Sequence, residues 1–387
     1  MKNIQLLNKI AAVGTDVFDR AEYAVGDNIT NPDAIMVRSA AMHDMTFDQS
    51  LKAIARAGAG VNNIPIERCT AEGIVVFNTP GANANGVKEL AVCALLLASR
   101  NVVGGIEWAK TLAGTTGVAK AVEAGKSKFA GCELAGKTLG VVGLGAIGGL
   151  VANIAVRLGM NVIGCDPYLS VDAAWNINHN VHKVTTYDEI YEKADYITLH
   201  VPATPDTTNM INQSTIARMK DGVRIINLSR ADLVCAADVK EAMASGKMAA
   251  YVTDFPTEEV LEIPGAVAIP HLGASTEESE DNCAVMAAQQ LDEYLRFGNI
   301  KNSVNFPNTH MPYVGGVRVC VLHENVPSII SNITAAISKH GLNIENMINK
   351  SKGNNAYTML DISGDVTAQD IAELDAVKGI IRVRIIK

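Results

Sequence analysis

Thr138-Leu139-Gly140-Val141-Val142-Gly143-Leu144-Gly145-Ala146-Ile147-Gly148 is the stretch whose reading decides the fold. An apolar run leads straight into G-x-G-x-x-G, and the residues from Ala146 read as a helix stopped at Gly159. Each glycine has its own task. Gly143 permits a tight turn, Gly145 lets the backbone approach a pyrophosphate, and Gly148 lets helix and strand pack closely. The first helical residues, Ala146 and Ile147, offer unpaired N–H groups to phosphates. A second strand, 161–164, closes on Asp166-Pro167, and Asp166 lies 18 residues after Gly148. An acid there holds ribose hydroxyls and repels a 2′-phosphate. The pattern predicts a dinucleotide site that takes NAD in preference to NADP.

Outward from this loop the chain keeps alternating short apolar runs with helical stretches. Strands are expected at 34–37, 52–56 and 74–78 before it, and at 196–200, 224–228, 249–253 and 267–269 after it. Strands alternating with helices imply parallel sheets, so the fold class is α/β with two Rossmann-like, doubly wound lobes. Ser275-x-x-Glu278 carries a capping-box signature and is expected to open a long helix that stops at Gly298. The stretch 302–312, with Pro307 and Pro312, reads as a linker. Beyond it the grammar changes to βαββαβ, a small separate domain in which Ile329, Ile330, Ile333 and Ile337 line one helix face.

The 387 residues exceed one ordinary domain, and 48% of them are apolar, ample for packed cores. The net charge of -8, with signs interspersed, argues against a nucleic-acid partner. No apolar stretch has membrane-spanning length, and the N-terminus lacks a signal-peptide layout, so no membrane is expected. The seven cysteines are scattered and form no C-x-x-C, as expected of reduced thiols in a cytoplasm. His179-x-x-His182 has no further ligands nearby, so no metal site is expected.

Three polar residues follow the later strands. Arg230 comes after Ile225-Ile226-Asn227-Leu228-Ser229, Glu258 after Asp254-Phe255-Pro256-Thr257, and His271 after Val267-Ala268-Ile269-Pro270. Ligands of open α/β sheets sit beyond the carboxyl ends of the strands. An imidazole titrates near neutrality and suits proton exchange at an alcohol. A carboxylate beside it would orient it and raise its pKa. A guanidinium fork matches a substrate carboxylate. Singly, each has a bland reading as a capping or solvated side chain. Jointly they point to hydride transfer to or from an anionic 2-hydroxy acid. His200, in Leu199-His200-Val201-Pro202, also ends a strand and competes for the proton-transfer role.

The chain resembles the D-2-hydroxyacid dehydrogenase family along essentially its whole length. The resemblance rests on Arg56-Ala57-Gly58-Ala59-Gly60-Val61, Asn78-Thr79-Pro80-Gly81, the glycine loop, Ile226-Asn227-Leu228-Ser229-Arg230 and Pro270-His271-Leu272-Gly273-Ala274-Ser275-Thr276. It implies a discontinuous substrate lobe at 1–86 and 276–305, an inserted nucleotide lobe at 87–275, and a C-terminal domain at 314–387. It places the catalytic roles on Arg230, Glu258 and His271. It extends the cofactor-binding set to Pro167, His200, Val201, Pro202, Leu228, Ser229, Asp254, His271 and Gly273. Substrate binding would fall to Arg38, Ser39, Arg56, Ala59, Gly60, Asn83 and Arg230, with Arg38 and Arg56 meeting a substrate phosphate. Two departures matter. Ala231 stands where the family has Gly, and the acidic loop is one residue short, so Glu259 competes with Glu258.

The tail resembles an ACT regulatory domain, which implies L-serine binding through His323, Asn325 and Asn343 between two such domains, and hence a dimer or tetramer. The expected function is NAD-dependent oxidation of a phosphorylated 2-hydroxy acid. A reductase for glyoxylate or hydroxypyruvate is the second reading. A nucleotide-sensing corepressor-like binding protein is the third.

Overall fold

The computed structural model describes residues 1–364 and 367–387. It divides into two compact units, Met1–Ala82 with Glu280–Lys387, and Asn83–Ser279.

The first unit begins with a parallel sheet of β1 (Lys2–Leu7), β2 (Tyr23–Gly26), β3 (Ala34–Val37), β4 (Ala53–Arg56) and β5 (Val75–Phe77), in the order β2-β1-β3-β4-β5. β3 and β5 are buried at every position, as befits a sheet covered on both faces. One face meets the helix Glu277–Phe297, whose Ala287, Ala288, Leu291, Tyr294 and Leu295 recur at helical spacing and pack on Ile4, Met36, Ala55 and Phe77. Burying Leu291 alone contributes roughly 1.5–3 kcal/mol. The other face carries Ile35, Val37, Ile54 and Val76 into a smaller core with Ile64 and Cys69.

The second unit holds β6 (Thr138–Val142), β7 (Asn161–Cys165), β8 (Val181–Lys183), β9 (Tyr196–Leu199), β10 (Val223–Asn227), β11 (Met248–Thr253) and β12 (Val267–Ala268). All pairs are parallel, in the order β12-β11-β10-β9-β6-β7-β8. The sheet grows one way from β6 through β7 and the other way through β9. The glycine loop therefore leaves β6 at the switch point, where open α/β sheets bind ligands.

The C-terminal part of the first unit is a four-stranded antiparallel sheet of β13 (Val317–Glu324), β14 (Asn343–Lys352), β15 (Asn355–Ser363) and β16 (Ile380–Ile386), in the order β14-β15-β13-β16, with helices Ile329–Lys339 and Ala368–Asp375. β13 is buried on both faces. Val317, Val319 and Val321 meet Ile329, Ile333 and Ile337, whereas Cys320 and Leu322 enter the core that holds Phe77 and Tyr294. Arg318 lies within that second face, fully buried. It pairs with Asp361 at 2.7 Å and donates to the carbonyls of Phe297, Met311 and Pro312.

Two expectations are corrected. The cap of the long helix is Thr276, whose Oγ1 accepts the Ser279 N–H at 3.1 Å. Ser275 instead closes a turn, donating its N–H to Leu272 O, so the cap sits one residue later than the expected Ser275 and without a reciprocal box. The stretch 302–312 is a packed strap rather than a solvated linker. Phe306 is fully buried, and Asn305 accepts from Val76 N–H and donates to Ile74 O, both at 2.9 Å. The Asn305 amide thus satisfies edge groups along β5, and the strap adds backbone bonds of its own, Val304 N–H to Val76 O at 2.9 Å and Asn78 N–H to Asn302 O at 3.3 Å. No single helix among the described residues is long and apolar enough to cross a membrane.

Candidate active site

The nucleotide loop shows in atoms what its glycines do. Gly143 has φ +87°, and a Cβ on it would stand 2.5 Å from His200 O. A Cβ on Gly148 would stand 1.9 Å from Gly143 O, so only glycine lets the helix Ala146–Arg157 come this close to the turn. A Cβ on Gly145 would meet nothing within 4 Å, which leaves its backbone open to a ligand. No side chain caps this helix, and the first-turn amides of Ala146, Ile147 and Gly148 lack intrahelical acceptors. Asp166 is held at the end of β7 by two backbone donors, Leu144 N–H and Tyr168 N–H, both at 2.9 Å. Pro167 follows it directly.

Beyond β9, His200 shares a 2.9 Å hydrogen bond with Thr198, while its Nδ1 has no partner. Burial lowers its pKa to about 4, so it is neutral at neutrality and poorly suited to carry a proton. Val201 and Pro202 continue the loop on the surface side of this residue. Beyond β10, Leu228 is buried, and Ser229 Oγ donates to Leu199 O at 2.6 Å. Asn227 Nδ2 donates to Arg230 O at 2.8 Å, and the exposed Arg230 side chain turns back so that its Nη1 donates to Ser229 O at 2.6 Å.

Beyond β11 and β12 lie Asp254 and His271. Asp254 is 1% exposed, its Oδ1 has no partner, and the Gly273 N–H serves its carboxylate. Burial raises its pKa, while the nearby charges of His271 and Arg230 pull it back down. The exposed His271 ring lies against Phe255, with ring centroids 4.9 Å apart and planes tilted by 50°. The structure thus brings Arg230, Asp254 and His271 into one electrostatic neighbourhood. Glu258 and Glu259 are exposed in the first turn of the helix Glu258–Leu261. No ion pair or hydrogen bond joins either to His271 among the described residues. The sequence placed Asp254 with the cofactor and did not show that it is buried near the charge of His271, nor that Phe255 packs on that ring. Their position at a strand end was the available signal.

In the first unit, Arg38 pairs with Glu280 at 2.6 Å. Arg56 Nε donates to Arg38 O at 3.0 Å, and its Nη1 donates to Gly60 O. Desolvation lowers the Arg56 pKa, with the Arg38 charge acting the same way. Ser39 N–H is held by Asn8 Oδ1 at 3.1 Å, and Ala59 O accepts from Asn78 Nδ2 at 2.6 Å. Asn83 opens the second unit, before the helix Ala84–Ser99, without making a side-chain cap.

The three tail residues are not brought together within one chain. His323 is 1% exposed, with one ring nitrogen on Thr358 Oγ1 at 2.8 Å and the other on Glu324 O at 2.7 Å. Asn325 follows it, holding Gly353 O. Asn343 pairs with Ser363, at the Val317 end of the sheet. The two ends of β13 lie roughly 25 Å apart, at about 3.3 Å per residue.

The donor set fits a dinucleotide. Open amides at the helix start suit the pyrophosphate, Asp166 suits ribose hydroxyls, and the orphaned Asp254 oxygen suits an amide donor. Replacing Asp166 with alanine is expected to erode the preference for NAD over NADP by about tenfold, equivalent to ~1.4 kcal/mol. Because the carboxylate also holds two loop amides, the variant is expected to melt earlier. Initial rates with each cofactor and a melting curve check both; an unchanged cofactor ratio assigns the ribose to another residue.

Residues 94–273 match the family model described as D-isomer specific 2-hydroxyacid dehydrogenase, NAD binding domain. The D-3-phosphoglycerate dehydrogenase of Methanocaldococcus jannaschii is 36% identical over 79% of this chain and 58% of its own length. This chain therefore spans little more than half of that relative. D-3-phosphoglycerate dehydrogenase 1 of Saccharomyces cerevisiae is 29% identical over 96% of this chain and 84% of its own. A solved NAD+-bound 3-phosphoglycerate dehydrogenase of Entamoeba histolytica is 28% identical, with TM-score 0.59 over 79% of this chain and 98% of its own. The open glycine loop, its acid and the strand-end residues thus lie in a segment, 94–273, that is a D-isomer-specific 2-hydroxyacid dehydrogenase domain with NAD as its cofactor.

Proposed function

We propose that this chain oxidises D-3-phosphoglycerate to 3-phosphohydroxypyruvate, using NAD. The observation that carries the reading is the Arg230, Asp254 and His271 neighbourhood at the carboxyl ends of β10 to β12 in an NAD-binding domain. The D-3-phosphoglycerate dehydrogenase names of the relatives support the substrate. NAD, when bound, accepts the hydride from C2. His271 takes the hydroxyl proton as the C2–O bond becomes a carbonyl, and the buried Asp254 carboxylate stabilises the imidazolium that results. Arg230 holds the substrate carboxylate through its planar fork. Phe255 limits where the imidazole can swing. Arg38 and Arg56 serve the phosphate, with Arg38 exchanging Glu280 for the ligand.

In this reading the βαββαβ part is an ACT domain that binds L-serine, and the chain works in a reducing cytoplasm as a dimer or tetramer. Asn325 and Asn343 stand at opposite ends of one sheet, so a serine touching both requires a second copy. The buried His323 supports Asn325 from behind rather than meeting the effector. The Arg38–Glu280 pair favours a second reading, a reductase for glyoxylate or hydroxypyruvate, because a neutralised arginine is a poorer phosphate ligand.

NADH consumption with phosphohydroxypyruvate and with hydroxypyruvate, each with and without millimolar L-serine, tests these readings together. A preference for the phosphorylated substrate of 100-fold or more is expected, with inhibition by serine. Equal rates would discard the phosphate site and favour the reductase. No effect of serine would discard the effector role while leaving the reaction in place.

A further inference from the structure

A groove of about 560 Å³ opens in the first unit where the end of β14 faces the strap 302–308. Its walls include Asn78, Asn302, Asn308, Lys350, Ser351 and Lys352, and no acidic residue lines it. Lys350 and Lys352 are two positions apart on a strand and so point to the same face. That face is the one Ile348 uses to pack on the core holding Tyr357. Lys352 Nζ donates to Ser303 O at 2.9 Å, and burial lowers its pKa. Lys350 has no side-chain partner, and neither lysine forms an ion pair among the described residues. Asn302 sits at φ +59°, a left-handed turn that bends the strap around the groove, and its N–H is taken by Asn308 Oδ1 at 2.9 Å. The groove therefore gathers two uncompensated cations and several amide or hydroxyl donors.

One wall residue connects to the substrate loop. Asn78 donates its side-chain amide to Ala59 O at 2.6 Å and its N–H to Asn302 O at 3.3 Å, and it accepts from Gln290 at 3.2 Å. A shift of Asn302 or Asn78 on ligand binding would pass directly to Ala59 and Gly60.

We infer that this groove is a second anion site, for a small phosphoryl-bearing ligand held by Lys350 and Lys352, whose occupancy alters the substrate loop through Asn78. Two ammonium groups and neighbouring neutral donors suit a phosphate dianion better than a single carboxylate. The effect on catalysis rests on the function proposed above; the binding does not.

The test titrates inorganic phosphate, at constant ionic strength, into the full-length protein and into Lys350→Ala/Lys352→Met, by calorimetry. The double variant is expected to bind one phosphate fewer than the parent. Lys350→Glu, which alters only an exposed side chain, is expected to weaken the same site at least tenfold. Unchanged stoichiometry in the double variant overturns the proposal. Acetate filling the groove as tightly as phosphate overturns the phosphoryl assignment. A failure of the Arg38 and Arg56 phosphate site would lower parent and variant equally, so the difference between them reports on the groove alone. In turnover, phosphate is expected to change both KM and kcat of the parent but only KM of the double variant; a purely competitive pattern in both overturns the coupling to the loop.

Discussion

Alanine in place of His271 is expected to lower kcat by about 10²–10⁴-fold, the usual contribution of a positioned acid–base group. Each tenfold corresponds to about 1.4 kcal/mol of barrier. The ring is exposed and makes no hydrogen bond that supports the fold, so the variant should fold like the parent and bind NADH with little change. Its two neighbours explain why the loss should fall on the chemical step. Phe255 lies against the imidazole at a 4.9 Å ring separation, and the charge of His271 lowers the Asp254 pKa that burial raises. In the proposed reaction, removal of the imidazole leaves water as the proton acceptor. NADH fluorescence titration and single-turnover rates separate binding from chemistry. A kcat within tenfold of the parent, or lost NADH binding, would remove His271 from the proton-transfer role. His200 is the only other histidine at a strand end in this unit, and its burial already keeps it neutral.

Replacing Arg318 with methionine is expected to destabilise the first unit by about 3–5 kcal/mol, the cost of breaking a buried ion pair from one side. The guanidinium is fully buried, bonded to both oxygens of Asp361 and to three carbonyls, with Tyr313 beneath it at 5.1 Å. Without it, a carboxylate and three carbonyl groups lose their donors inside the protein. The pair itself can be replaced: Arg318→Met with Asp361→Leu should recover most of the loss, because matched apolar groups remove the unpaired charge. Both tryptophans, Trp108 and Trp175, lie in the second unit. Urea unfolding of the single variant should therefore show an earlier phase by circular dichroism while the tryptophan signal keeps its midpoint. A coincident shift of both signals, or no shift, would contradict the assignment.

The glycine loop, Asp166 and the buried strands β3 to β7 were legible because their signals are local: an apolar run, a glycine that no other residue can replace, an acid at a strand end. β1 and β2 went unread, since Lys2–Leu7 mixes polar and apolar residues, Tyr23–Gly26 is only four residues long, and both are mostly half-buried. The helices Val102–Thr111 and Val118–Gly125 also went unread, and they bury almost nothing. The strap 302–312 misled because prolines punctuate linkers and buried irregular segments alike; what distinguishes them is Asn305, whose bonds join residues more than 200 positions apart. The burial of Asp254 near the charge of His271 was illegible for a similar reason. Which carboxylate a loop turns inward depends on its conformation, and here Asp254 is buried while Glu258 is exposed. Strand register, which separates Asn325 from Asn343, is also a long-range property.

The two-faced burial of β13 has a consequence for how this chain can change over evolutionary time. A regulatory module joined by a flexible tether can be lost, duplicated or exchanged with little harm to its host. Here the last sheet is also a wall of the first: Cys320, Leu322, Tyr357, Met359 and Ile386 complete the core begun by Ile4 and Phe77. A stop codon ahead of β13 would leave the remaining protein with a raw apolar flank, prone to self-association. Substitutions on the shared seam are thus constrained from both sides, and the tail is inherited with the body or not at all.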